Sequence, residues 1–206
     1  MTLHVSLARL LYFLLPVCWI SCVPFASAQH YLGLTGGGGF SPTVGFRAGV
    51  VAEWKHRPNV VFLTEATYLQ RTSPEILRKL DRNRGYHLAT VDYVSLNFLI
   101  KMQLDLEPVG LYAVAGADIS FGARAYARYS SDGNIVIDRL LFDELALRRW
   151  DAGVCIGGGI EKEIRKRRRI FFDVRYYLGI IDIDKDTAGD IFNEGTFFNL
   201  GFLIPL

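Results

Sequence analysis

Residues Arg169–Ile180 read RIFFDVRYYLGI. Eight of these twelve are apolar or aromatic, yet Asp173 and Arg175 sit two apart in their midst. Burying a lone charge among such neighbours is costly, so where these two side chains point decides the fold. In an extended chain Phe172, Val174, Tyr176, Leu178 and Ile180 share one face. Asp173, Arg175, Tyr177 and Gly179 share the other. One greasy and one polar face at period two is the pattern of a strand.

The same parity recurs along the chain. Phe198, Leu200, Phe202 and Ile204 oppose Phe197, Asn199, Gly201 and Leu203. Ala152, Val154, Ile156 and Ile160 oppose Asp151, Gly153, Cys155, Gly157, Gly159 and Glu161. Leu111, Ala113, Ala115, Ala117 and Ile119 oppose Tyr112, Gly116, Asp118 and Ser120. Phe46, Ala48, Val50, Ala52 and Trp54 oppose Gly45, Arg47, Gly49, Val51 and Glu53. Phe62, Thr64, Ala66 and Tyr68 oppose Glu65, Thr67 and Arg71, and Val94, Leu96, Phe98 and Ile100 oppose Tyr93, Ser95, Asn97 and Lys101. With His30–Gly38 the strands number eight, an even count and the smallest for a transmembrane barrel.

The connections alternate in length. KHRPN, DLEPVG and EIRKRRR are short. Opposite them lie GFSPT and the longer segments Arg71–Gly85, Gly122–Arg149 and Asp182–Glu194. Short inner turns facing longer outer loops are the habit of outer-membrane barrels, and Trp54, Tyr68, Tyr93 and Trp150 near strand ends suit aromatic girdles. The fold expected is all-β: an eight-stranded, antiparallel, up-and-down transmembrane barrel with a filled polar lumen. Arg47, Lys101 and Arg175 would face Glu53, Glu65, Asp118, Asp151, Glu161 and Asp173 inside it, with glycines between. An interior of this width holds side chains rather than a channel. A soluble periplasmic or secreted barrel binding a small ligand has the same period with its apolar face turned inward, and stands as the alternative.

Composition agrees with export. Half of the 206 residues are hydrophobic and the formal charge is only +2, which argues against nucleic acid as a partner. Residues 1–28 read as a secretory signal: Arg9 in the n-region, the apolar run LLYFLLPVCWISCV, and small residues Ala26 and Ala28 before cleavage. A membrane anchor or lipid attachment at Cys22 are the other readings, but Pro16 interrupts the apolar run and WIS fits the lipidation pattern poorly. Cleavage leaves residues 29–206 with Cys155 as the one cysteine, so no intrachain disulfide can form.

Tyr93–Lys101, YVSLNFLIK, resembles the fourth-strand motif of the outer-membrane β-barrel domain proteins of the PorT-like type, with Ser95 and Asn97 standing where that family has Glu and Pro. Arg175–Ile180 followed by Asp182 and Ile183 is similar to that family's seventh strand, and Glu65 and Tyr68 fit its third. The resemblance covers about residues 29–206. It implies an outer-membrane barrel in a Gram-negative cell, in a family with one branch linked to protein secretion and gliding.

Chemistry is sparse. GGGG at 36–39 and GGG at 157–159 lack the Lys-Ser/Thr of a phosphate loop and read as close strand packing. Asp182, Asp184, Asp186 and Asp190 imitate the start of a calcium loop, with Thr187 where the turn needs Gly and Asn193 where it needs Glu. The basic run within Lys162–Arg169 suits a turn in solvent or against anionic headgroups. A lipid-modifying enzyme would need a histidine beside a nucleophile. Of His30, His56 and His87 only the last is left after the N-terminus and a periplasmic turn are set aside, and no spacing to Ser95 or Ser120 singles out a dyad. No cofactor and no enzymatic activity are expected. ARAYARYSSDGNIVIDRLLFDELALRR is too apolar for a mere connector. It is expected either to cap the barrel or to bind other envelope proteins, with LLFDELALRR as a short amphipathic helix. The barrel is expected to be a monomer set in outer-membrane lipid.

Overall fold

Alternation decides where strands form, and the computed structural model follows it. It describes residues 30–41, 43–72, 86–131, 134–142, 147–185 and 191–206; the expected signal segment lies outside them. The strands are β1 (His30–Ser41), β2 (Thr43–Arg57), β3 (Val60–Thr72), β4 (Tyr86–Leu106), β5 (Val109–Ser131), β6 (Asn134–Leu140), β7 (Trp150–Glu163), β8 (Arg169–Gly179) and β9 (Glu194–Pro205). Every pairing is antiparallel. Eight of the strands run round the ring β1-β2-β3-β4-β5-β7-β8-β9, and β9 returns to β1 with Thr35 opposite Gly201. Closure leaves the ring without an open edge, the condition for strands to cross lipid.

The ninth strand departs from the expected eight. Much of Gly122–Arg149 is a hairpin rather than a loop: β5 continues to Ser131 and β6 folds back on it, Ala125 opposite Leu140 and Ser131 opposite Asn134. The described part of LLFDELALRR is not helical either. Leu140 ends β6, and Leu147 makes an isolated bridge to Asp184. Residues 143–146 lie outside the described residues. The reason is local: YARYSSDGNIVIDRL carries β-branched and aromatic residues on both sides of Asp132-Gly133, a strong hairpin signal.

A membrane crossing takes about 9–11 tilted residues. β8 and β1, of 11 and 12 residues, are near that length, whereas β4 and β5 run to 21 and 23 and project beyond it on the long-loop side. The β2–β3, β4–β5 and β7–β8 connections, all short, fall at the other end, and the last of them turns through Lys166 and Arg167 at positive φ.

Burial along β8 alternates without a break. Asp173 and Arg175 are inside at 0% and 1% exposure, while Phe172, Tyr176 and Leu178 are outside at 41–48%. The facing is general: Leu34, Phe98, Ile100, Ile156 and Leu200 point outward and the charged faces point inward. A soluble ligand-binding barrel needs the reverse. The girdle needs one correction. Trp150 is outward, but Tyr93 is buried, because it shares parity with Ser95 and Asn97 on the lumen side of β4.

Candidate functional site

The lumen is filled in three tiers. Nearest the short turns, Lys101 Nζ lies 2.7 Å from Glu53 Oε1 and 2.5 Å from Glu161 Oε2, joining β2, β4 and β7. Arg169 Nη1 adds a contact to Glu161 Oε1 at 3.4 Å and stacks over the Tyr31 ring at 4.2 Å. Gln103 Nε2 also donates to Glu161.

In the middle tier Glu65 Oε2 takes two arginines, Arg47 Nη2 at 2.5 Å and Arg175 Nη1 at 2.8 Å. β3 and β8 stand diametrically opposite in the ring of eight, so the Glu65–Arg175 pair crosses the full width of the lumen. The other Arg175 nitrogen, Nη2, reaches Asp173 Oδ2 at 2.7 Å. Asp173 also accepts from Tyr112 Oη at 2.9 Å and Asn199 Nδ2 at 2.7 Å. Room for the Arg175 stem comes from Gly157, whose absent Cβ would lie 2.9 Å from Arg175 Cγ. Gly159 makes the same allowance for Asp173, whose Cβ would lie 2.6 Å from an added Cβ, so two of the three glycines at 157–159 are accounted for by close packing.

In the outer tier Arg71 Nη1 lies 2.7 Å from Asp151 Oδ2, and its guanidinium sits between the rings of Tyr177 at 3.8 Å and Tyr93 at 5.1 Å. Tyr177 Oη and Asn193 Nδ2 both donate to the same Asp151 oxygen, at 2.8 and 2.9 Å. Asp118 accepts from Ser95 Oγ and Ser120 Oγ, each at 2.6 Å. Phe142, Leu147, Ile183 and Ile191 cover the mouth, in one apolar cluster that reaches down through Ala89, Val91, Tyr93, Ala125 and Tyr177 to Leu69 and Phe197 beside Arg47 and Arg175. It is tied by Gly122 N to Arg149 O, Arg148 N to Ile183 O and Ile183 N to Ile191 O. The segments before β7 and after β8 therefore lie across the opening as a cap.

All nine charged residues expected inside are buried: Arg47, Glu53, Glu65, Lys101, Asp118, Asp151, Glu161, Asp173 and Arg175. That set alone has twice as many carboxylates as cations. Two further cations complete it. Arg71 stands at the boundary of a long connection but shares parity with Glu65 and Thr67, and Arg169 closes a basic run. Strand parity finds both, since Arg169 alternates with Phe171 and Asp173; it turns inward while Lys162–Arg168 stay exposed. With them the barrel interior holds five cations and six carboxylates among the described residues. Pairs this buried satisfy one another rather than adding large net stability.

The other candidates fall as follows. Ser95 and Ser120 face each other across β4 and β5 and share Asp118, far from His56, whose ring packs on Phe62 in the first short turn. His30 is at the short-turn end of β1, and the His87 side chain lies outside those described. Asp182 Oδ1 accepts from the backbone nitrogens of Asp184 and Ile191, each at 2.9 Å, which folds the cap loop. Asp184 is buried beneath it; Asp186 and Asp190 lie outside the described residues. Among the described residues no group of three or more His, Cys, Asp or Glu is placed to hold a metal. Cys155 is free and buried in the lumen.

Comparison with known proteins points one way. A family model described as outer membrane protein beta-barrel domain matches residues 33–185. A major outer membrane protein from Thermus thermophilus is similar over 86% of this chain and 99% of its own, at 11% identity and a TM-score of 0.50. Neisserial surface protein A covers 86% and 96% at 13% identity and 0.47. The N-terminal barrel domain of Pseudomonas aeruginosa OprF covers 86% and 100% at 9% and 0.43. Identities this low bear on fold alone. No curated protein matches the sequence.

Proposed function

The chain belongs to the outer membrane protein beta-barrel domain family, and from that premise we propose that it is a closed scaffold in the outer membrane, docking envelope components through its outward loops and passing no large solutes. A 28-residue leader would direct its export, leaving the short turns in the periplasm. The observation that carries the reading is the double closure of the barrel. Ion pairs span the lumen from β3 to β8, and an apolar cap covers the outer mouth.

Planar-bilayer recording of the refolded protein tests the closed state: no steady conductance large enough for sugars is expected, and a reproducible large conductance would overturn it. Docking rests on the β5–β6 hairpin, which continues β5 beyond its pairing with β7 and exposes Ile137 at 62%. Gentle pulldown from native outer membranes should recover fewer proteins when Tyr129–Val136 is replaced by a two-residue turn. An unchanged set of partners would remove the hairpin from the proposal.

Placement among the PorT-like members rests on Tyr93–Lys101 and Arg175–Ile183. Components of a secretion apparatus in the same pulldown would support it. Recovery of the barrel with lipid alone would argue against it.

A further inference from the structure

Where β4, β5 and β6 rise past the apolar band, their outward faces change character. On β5 the outward series is Ile119 and Phe121, each about half exposed. A register shift beside Asp92 and Tyr93 then inserts one residue, and the outward series becomes Arg124, Tyr126 and Arg128. On β6, Arg139 lies opposite Tyr126 and Ile137 opposite Arg128. On β4 the same face carries Val94, half exposed, then Asp92 and Thr90, which are covered by their neighbours, and Gln70 of β3 lies opposite Asp92. The pieces are in register: Gln70 Nε2 donates to both Asp92 Oδ1 and Tyr126 Oη at 3.1 Å.

Three guanidinium groups thus share this face with one carboxylate among the described residues. Arg124 Nε is 3.7 Å from Asp92 Oδ2, yet 64% of the arginine side chain is exposed. Arg128 is exposed over the Tyr126 ring at 5.8 Å, and Arg139 is exposed on the neighbouring strand. Asp138 does not neutralise them, because it faces the other way, opposite Ala127, where Tyr86 Oη donates to it. Arg124 follows Phe121 by three residues, about 10 Å of strand, and Arg128 by about 23 Å. With the strand tilt, Arg124 stands at the edge of the lipid-facing band, with Arg139 and then Arg128 higher above it.

We propose that this face is a binding site for a phosphorylated glycolipid of the outer leaflet. Its acyl chains would lie on Val94, Ile119 and Phe121, and its phosphates would be held by Arg124, Arg128 and Arg139. Arginine suits the task because its planar fork binds phosphate through two parallel hydrogen bonds. Continuity with the apolar band selects the occupant. A soluble polyanion could reach this flank only by lying edge-on against the membrane, whereas an anionic lipid is already there, with its charge at this height and its chains on the band below. The inference rests on the orientation proposed above, with the long strands outside.

The test places the mature protein in phosphatidylcholine nanodiscs with bisphosphorylated lipid A or its dephosphorylated counterpart, and counts retained lipid by native mass spectrometry. A basic residue at a charged membrane surface contributes roughly 1 kcal/mol, so three should give a preference for the phosphorylated form of about tenfold to about a hundredfold. Arg124→Gln/Arg128→Gln/Arg139→Gln should abolish that preference while the barrel keeps its heat-modifiable migration. Arg165→Gln/Arg167→Gln/Arg168→Gln, at the other end, should leave it intact. Equal retention of the two lipids would overturn the site, as would a preference that survives the first variant or vanishes in the second. Displacement by millimolar inorganic phosphate would also overturn it, since the face would then be an anion site rather than a lipid site. Orientation is read separately by labelling Ile137→Cys on intact cells with an impermeant maleimide. No labelling would sink the orientation itself; labelling without a lipid preference would sink this inference alone.

Discussion

The barrel interior and the cap over its mouth are both buried, yet they differ in what holds them together. Within the lumen the buried charges Arg47, Glu53, Glu65, Lys101, Glu161, Asp173 and Arg175 are joined by pairs of 2.5–2.8 Å. Over the mouth the buried groups are Phe142, Leu147, Ile183 and Ile191. The difference follows from what lies on the far side of the wall. The cap stands above the membrane with water as its alternative, so burying apolar surface drives it shut. The lumen wall has lipid outside, and most of its apolar residues are spent on that face. The inner face carries the barrel's buried ion pairs beside a smaller apolar cluster that includes Val51, Leu63, Leu99, Val114 and Leu203, and its charges are held by mutual satisfaction.

Breaking the polar interior should have the largest effect. Arg175→Met keeps the length of the side chain but leaves Glu65 and Asp173 without their shared cation, at a cost of about 3–5 kcal/mol. A urea midpoint of the refolded barrel should fall accordingly. A midpoint within error of wild type would mean that the lumen pairs do not act as a unit.

A charge on the outer wall comes next. Leu200→Arg, at a position 64% exposed between Phe198 and Phe202, should cost about 2–4 kcal/mol if it lies near the bilayer midplane. It should also lower insertion yield into phosphatidylcholine vesicles. Tyr176→Arg is the milder control, because Tyr176 Oη already donates to Glu194 Oε2 at 2.8 Å and an arginine there gains a partner. Equal yields for the two variants would contradict the facing described for β8 and β9.

Trimming the apolar cap should be felt less. Ile183→Val removes one methyl group from a side chain only 1% exposed and should cost about 0.5–1.5 kcal/mol. Hydrogen exchange of the amides at Arg148 and Ile183, which bond within the cap, should quicken while those of β1 and β9 do not. Matched acceleration in both places would make cap and barrel one cooperative unit. Smallest of all, Arg168→Gln alters an exposed turn residue and should shift stability by under about 0.5 kcal/mol, measured by the same urea titration.

Strand facing, the ring of eight and the polar filling of the lumen are legible in the sequence because they depend on parity, which each strand carries by itself. Asp173 and Arg175 are inside for the same reason that Tyr176 is outside: successive side chains of an extended chain must point opposite ways. Parity also holds the correct position of Tyr93, against the girdle that its place near a strand end suggests. It marks Arg71 and Arg169 as well, although the first sits at a loop boundary and the second in a basic run. The hairpin of β5 and β6 is written in Asp132-Gly133 and its β-branched flanks, but the habit of long outer loops in such barrels obscures it.

Partnership cannot be read in this way. That Arg175 meets Glu65, 110 residues earlier, depends on β3 and β8 standing opposite in a closed ring of eight. Likewise, the gathering of Gln70, Asp92, Arg124 and Arg139 on one outward face depends on a bulge that shifts β5 by one residue against β4. A sequence specifies which way each side chain faces, a local property with period two. Which residues face one another is set by closure and register, and these exist only once all the strands have paired.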